Sequence, residues 1–210
     1  MRSQQTGFAI YQAYYRKEES VQPKDGIRTG EFGLWLARYL DKNNHYSIYY
    51  DHGDKQGDPN VAAIKGFCGQ TVTKKNRLVD TDVIVVNNDN NSIVLLIEIE
   101  ETKMSPKKLL GDVFASLMCN RFAVKVENKQ KYFNISPETR LIVAGVVQKL
   151  GDGQEKISNT ITPRLQQFDV PGDTIQIDKI TFVIGEDISG ALEKLKREMI
   201  NIFTMNCYEE

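Results

Sequence analysis

The stretch "LVDTDVIVVNNDNNSIVLLIEIE", residues 78–100, reads as two apolar, β-branched strands, 78–86 and 93–100, joined by the polar turn "NNDNN". Paired antiparallel, the strands form a hairpin that sets the start of the first beside the end of the second. Residues two apart share a face of a strand, so Glu98 and Glu100 project together while Ile97 and Ile99 project the other way. Asp80 and Asp82 share a face of the first strand in the same manner. The hairpin is therefore expected to gather two or three of these carboxylates at one edge of a sheet. Buried like charges drive each other towards their neutral forms, whereas a divalent cation allows full ionisation. Oxygen ligands alone suit Mg²⁺, Mn²⁺ or Ca²⁺ rather than zinc.

Working outward, "TGEFGLWLARYL" from Thr29 places Phe32, Trp35, Leu36, Tyr39 and Leu40 at helical spacing with Thr29 as the cap, and "HYSIYYD" reads as a strand. Downstream, "SPKKLLGDVFASLMCNRF" has Ser105 to cap a helix and Pro106 at its first position. Leu109, Leu110, Val113, Phe114, Leu117 and Met118 make its apolar stripe. "RLIVAGVV" from Arg140 and "ITFVIG" from Ile180 are two further strands, separated by a polar, glycine-containing insertion whose "DTIQI" is a candidate addition to one of them. Ile188, Leu192, Leu195, Met199, Ile202 and Phe203 predict a closing helix. The order is αβββαβ followed by βα, which implies an α/β sandwich with a mixed sheet.

The 210 residues carry 27 basic and 28 acidic side chains, so any surface for nucleic acid must be a local patch. No linker or repeat divides the chain, and a single domain over residues 1–210 is expected. Cys68, Cys119 and Cys207 lack the spacing of a zinc site or a disulfide framework, which points to a reducing compartment. No signal-peptide pattern and no membrane-length apolar run is present, so a cytoplasmic protein without membrane contact is expected. His45 and His52 share no motif with a nucleophile or metal partner and read as surface or turn residues. "DHGDKQGDPN", residues 51–60, lacks the EF-hand pattern and reads as a polar loop over the site.

Taken together, the element order and the acids resemble the PD-(D/E)XK nuclease superfamily over residues 29–147. That resemblance implies a restriction-endonuclease-like αβββαβ core, a central mixed sheet flanked by helices, with residues 148–210 adding strand and a C-terminal helix. Asp82, immediately before "VIVV", matches the family's first acid, with Asp80 as its competitor, and Glu98 matches the second. Glu100 stands where the family usually has lysine; some restriction endonucleases carry glutamate there, giving E-x-E. The resemblance implies metal ligation by Asp82, Glu98 and Glu100, with Glu31 as the acid that the first helix often contributes. As a first-turn residue, Glu31 equally suits the helix dipole.

Phosphodiester hydrolysis needs a deprotonated water in line with the leaving oxygen and positive charge near the charge developing at phosphorus. Glutamate can orient or deprotonate the water but brings no positive charge. Lys103, three residues after Glu100, or Lys108 on the following helix is expected to restore it, although Lys108 is also spaced for an ordinary exposed pair with Asp112. Lys74, Lys75, Arg77, Lys107 and Lys108 are candidate phosphate contacts on DNA, or equally solvated basic faces. The implied activity is Mg²⁺-dependent cleavage of double-stranded DNA, with Mn²⁺ as a substitute, by a homodimer whose two sites cut both strands. A repair or junction nuclease is the close alternative, and a catalytically inactive DNA-binding or assembly module is the rival from another class. Glutamates spaced along a solvated sheet edge are the structural alternative to a metal site.

Overall fold

The computed structural model of the chain describes residues 26–41, 44–53, 58–69, 71–126, 129–147, 154–170 and 172–205. Cys207 lies outside the described residues, as do 54–57 of the 51–60 loop. Chain order runs α1 (Ile27–Leu40), β1 (Tyr46–Tyr50), β2 (Ala63–Phe67), β3 (Arg77–Thr81), β4 (Val83–Asn87), β5 (Ser92–Met104), α2 (Pro106–Leu117), β6 (Arg121–Val126) and β7 (Lys129–Val147). Then come an irregular helical segment α3 (154–165, with a π-helical turn at Ile157–Ile161), β8 (Ile180–Gly185) and α4 (Ile188–Met205).

The result is an α/β fold around an eight-stranded mixed, largely antiparallel sheet of order β1-β4-β5-β7-β6-β2-β3, with β8 beside β7. The αβββαβ order is present as α1, β1, β4, β5, α2 and the second half of β7, with β5 and β7 parallel. The β4–β5 hairpin forms as expected, with Val83 opposite Ile97 and Asn87 opposite Ser92.

Alternation along β5 divides the interior in two. Leu95, Ile97 and Ile99 pack with Val83, Val85 and the helix residues Phe32, Leu36, Leu195 and Met199 on one face. Leu96 packs with Ile84, Leu109, Val113, Leu117, Leu141 and Val143 on the other, beneath α2. Helix α2 starts as its sequence predicts: the Ser105 hydroxyl accepts from the Lys108 N–H at 3.3 Å, with Pro106 at the first position.

Several expectations are corrected. The predicted strand 78–86 is two strands, broken at Asp82: β3 pairs with β2 while β4 pairs with β1 and β5. One residue joins β3, the last strand of the sheet order, to β4, the second, so the sheet coils until these two strands come together at Asp82. Strands β2 and β6 and the first half of β7 form an unanticipated antiparallel extension. The helix predicted to run on to Phe122 ends at Leu117, because Arg121 and Phe122 enter β6 and pair with Asn134 and Phe133. Residues 173–177 add no strand; a single helical turn, Ile177–Lys179, leads into β8.

Helix α1 begins earlier than its sequence suggests, after Gly26 in the left-handed region at φ 88°. Thr29 therefore lies inside the first turn and is not the cap, and Glu31 falls outside that turn. The orphan N–H of Thr29 donates instead to the Glu101 carboxylate of β5 at 2.7 Å, and its hydroxyl donates at 2.9 Å. Glu101 thus closes the N-terminus of α1 from another element, matching negative charge to the positive end of the helix. Glu101→Ala is expected to lower the stability of the fold by about 1–2 kcal/mol in urea titration, since it strands the N–H and hydroxyl of the buried Thr29. An unchanged midpoint would show that water replaces this cap.

Candidate functional site

Register places the acids. Val83 faces Ile97, so one step further towards the open end of the hairpin Asp82 comes beside Glu98. Glu98 follows Leu96 onto the α2 face, where burial leaves only 8% of it exposed. The Ser116 hydroxyl of α2 reaches its Oε1 at 3.4 Å. The Asp82 carboxylate is held by the Ile99 N–H, which donates to Oδ2 at 2.6 Å, so its other oxygen is free of that bond.

Burial is the main force on both acids. It pushes Asp82 up from 3.8 to about 6, against the Ile99 N–H and the charge of His52, which pull it down; Asp51 and Glu101 push it further up. Glu98 is raised well above the usual carboxylate range, first by burial and next by the charge of Asp82; the hydroxyls of Thr81 and Ser116 oppose this, and Asp112 adds to it. The charge of Asp82 thus adds to burial in disfavouring the ionised form of Glu98.

Thr81 bears on what completes the site. Its hydroxyl is close enough to Glu98 to favour the ionised carboxylate, yet it is buried and completes no hydrogen bond among the described residues. A hard divalent cation fits this donor set of two carboxylates and an unsatisfied hydroxyl. Mg²⁺ ordinarily takes one or two carboxylates and fills its other positions with water and phosphate oxygens. No group of three or more His, Cys, Asp or Glu side chains that could hold a metal ion is found among the described residues.

The remaining expected site residues divide clearly. Glu100 shares the α2 face with Glu98, but its carboxylate is held from both sides: Thr102 donates its N–H to Oε1 at 3.2 Å and its hydroxyl to the same oxygen, while the Lys108 ammonium meets Oε2. Lys108 thus reaches across to β5 rather than forming the simple helical pair with Asp112 that its spacing suggested; burial raises the pKa of Asp112, and the charge of Lys108 opposes that rise. Lys103 is exposed beyond an irregularity between Glu100 and Lys103, where the pairing with β7 steps by extra residues. Glu31 pairs with Arg28 at 2.8 Å on the open face of α1. Asp80 pairs with Arg77 on β3, which the break at Asp82 turns away from the β4–β5 hairpin. Lys74 and Lys75 are exposed just before β3, and Lys107 is exposed at the start of α2.

His52 enters the site without having been singled out by its sequence. It occupies the left-handed region at φ 63°, and its Nε2 lies 4.0 Å from Asp82 Oδ1. The neighbouring Asp51 N–H donates to the Asp82 carbonyl at 2.8 Å, tying the 51–60 loop to the candidate site. A Cβ on Gly30 would stand 2.4 Å from the His52 carbonyl oxygen, so only glycine lets α1 lie this close. The turn reading of His52 therefore holds, but no sequence motif signals its contact with Asp82, which depends on long-range pairing.

Comparison with protein-family models, with curated proteins and with solved structures found no match to this chain.

Proposed function

We propose that the chain is a Mg²⁺-dependent endonuclease that hydrolyses phosphodiester bonds in double-stranded DNA, resembling the E-x-E restriction enzymes of the PD-(D/E)XK superfamily. The observation that carries this reading is the meeting of Asp82 and Glu98 from adjacent antiparallel strands within an αβββαβ order, beside the unsatisfied Thr81 hydroxyl. An acid pair whose burial disfavours its own ionisation is poor as a stabilising device and well suited to a cation.

In this reading Asp82 and Glu98 would hold Mg²⁺, or Mn²⁺ in its place. The ion supplies Lewis acidity at phosphorus and a more acidic water. Glu100, its carboxylate braced by Thr102, orients the attacking water. Lys74, Lys75 and Lys107 are exposed and meet backbone phosphates, which gives binding a salt dependence without base specificity. A homodimer places one such site on each strand, and the same reading sets the protein in the cytoplasm. Among the described residues no helix is long and apolar enough to cross a membrane.

The test is cleavage of a supercoiled plasmid and of defined duplexes with Mg²⁺ or Mn²⁺, followed by sequencing of the product ends. Ends at one repeated sequence are expected for a restriction-like enzyme. Cleavage at junctions or flaps alone would move the assignment to repair, and DNA binding without cleavage would support an inactive module.

A further inference from the structure

A cavity of about 180 Å³ lies away from the acids, lined by Gly69, Asn120, Arg121, Asn134, Ile135 and Asp173. Asn134 pairs with Ser92, six residues from Glu98 along β5 and thus about 20 Å from it at the rise of a strand. We propose that this cavity binds one unpaired guanine base by its base-pairing edge, the base coming from a free guanine nucleotide or from an unpaired guanosine in a nucleic-acid strand. The inference goes beyond the nuclease assignment and does not rest on the acid pair.

The lining side chains are held so that each presents a set polar group. The Gly69 N–H donates to Asn120 Oδ1 at 3.0 Å, and the Asn120 amide nitrogen donates to Asp173 Oδ2 at 3.1 Å, which leaves Asp173 Oδ1 as an acceptor. Arg121 Nε donates to Asn134 Oδ1 at 3.0 Å, so the amide of Asn134 presents its two N–H donors. The backbone beneath is equally fixed. The Asn120 N–H donates to the Phe67 carbonyl at 3.1 Å, the Ile135 N–H donates to the Asn120 carbonyl at 3.3 Å, and Thr174 and Ile175, which follow Asp173, are buried. Polar groups oriented in advance by neighbouring hydrogen bonds are what a ligand site requires.

The chemistry of the lining selects the ligand. Arg121 disfavours a cation and Asp173 disfavours an anion, so a neutral group with both donors and acceptors fits best. A cavity of about 180 Å³ is smaller than the roughly 300–1,000 Å³ that encloses a drug-sized ligand, and takes one planar ring system with sugar and phosphate outside. Ile135 offers that ring an apolar surface. On its pairing edge guanine carries an acceptor, its carbonyl oxygen, followed by two donors, the ring N–H and the amino group. Asn134 donates to the carbonyl oxygen, and Asp173 accepts from the ring N–H and the amino group. Adenine and cytosine would set a ring-nitrogen acceptor against the carboxylate, whereas hypoxanthine keeps the first donor and lacks the second. In a duplex this edge is engaged by the partner base, so the guanine that enters is unpaired.

The test is titration calorimetry of the full-length protein in EDTA with the monophosphates of guanosine, inosine, adenosine and cytidine, and with thymidine oligonucleotides that contain one guanosine or none. Guanosine monophosphate is expected to bind about tenfold more tightly than inosine monophosphate and about 100-fold more tightly than the other two. Preference for the guanosine-containing oligonucleotide without binding of the mononucleotide supports the proposal with a strand as the source, and binding of the mononucleotide without that preference supports it with the free nucleotide. Asp173→Asn keeps an oxygen for Asn120 and is expected to weaken guanine binding about tenfold, with the melting temperature close to wild type. Asn134→Leu, at an exposed position of β7, is expected to weaken it by a similar factor and decides the matter if Asp173→Asn does not fold. No preference for guanine in either ligand set, or guanine affinity within about threefold of wild type in either folded variant, would overturn the proposal. Because binding is read without a divalent ion, that failure leaves the nuclease reading standing, and a protein that binds guanine but cuts no DNA overturns the nuclease reading alone.

Discussion

Glu98→Gln is expected to lower Mg²⁺-dependent DNA cleavage by about 1,000-fold, equivalent to about 4 kcal/mol of transition-state stabilisation. Glutamine keeps the shape of the side chain and can still accept the Ser116 hydroxyl, so the buried position stays filled while the charge that would hold a cation is removed. Asp82→Asn keeps an oxygen for the Ile99 N–H and is expected to cost a similar factor. In the proposed reading both side chains would serve one ion, so the double variant should lose little more than either single one; losses that multiply would mean two independent roles. Each variant is to be melted alongside the wild type, and cleavage within about tenfold of wild type in a folded Glu98→Gln protein would remove the metal site from the account.

Stability should move in the opposite direction. Asp82 titrates at about 6 in the fold against an ordinary value of 3.8, so between those values the folded chain holds more protons than the unfolded one. Its contribution is therefore present in full below the ordinary value and is lost as pH rises through about 6, with a size of about 3 kcal/mol. Glu98, also raised by burial, acts with the same sign. Without divalent ions, Asp82→Asn should gain melting temperature over the wild type as pH is raised from about 4 to about 8, by about 5 °C or more. At the upper pH, about 10 mM Mg²⁺ should recover this loss in the wild type, since an ion at 100 times its dissociation constant adds about 2.7 kcal/mol. It should do so weakly or not at all in Asp82→Asn. Equal Mg²⁺ stabilisation of both proteins would place the ion elsewhere, and parallel pH profiles would show that Asp82 is not strained by its burial.

The features legible in the chain were those governed by neighbours in sequence. Helix α2 declares itself because Ser105, Pro106 and the Leu109–Val113 spacing act within a few residues of one another. The β4–β5 hairpin is legible because its polar turn joins two apolar strands, and alternation then puts Glu98 and Glu100 on one face. In contrast, β6 lay hidden at the end of a helical pattern, although the alternation in "RFAVKV" was a usable signal. For Asp80 there was no such signal. Only the pairing of β3 with β2, across a weakly apolar "AIKGF", carries it away from Asp82.

By itself, then, the sequence determined the α/β class, the main elements of the αβββαβ order and the pairing of acids on a strand face, because local hydrogen bonding and side-chain alternation suffice for these. The tertiary structure alone decided which acids meet. Coiling of the sheet at Asp82 brings Asp82 to Glu98 and His52 and leaves Asp80 with Arg77. Docking of α1 and α2 on opposite faces sends Glu101 to Thr29 and Lys108 to Glu100. Each of these contacts joins residues from different elements, and its geometry exists only once the hydrophobic faces of those elements have packed.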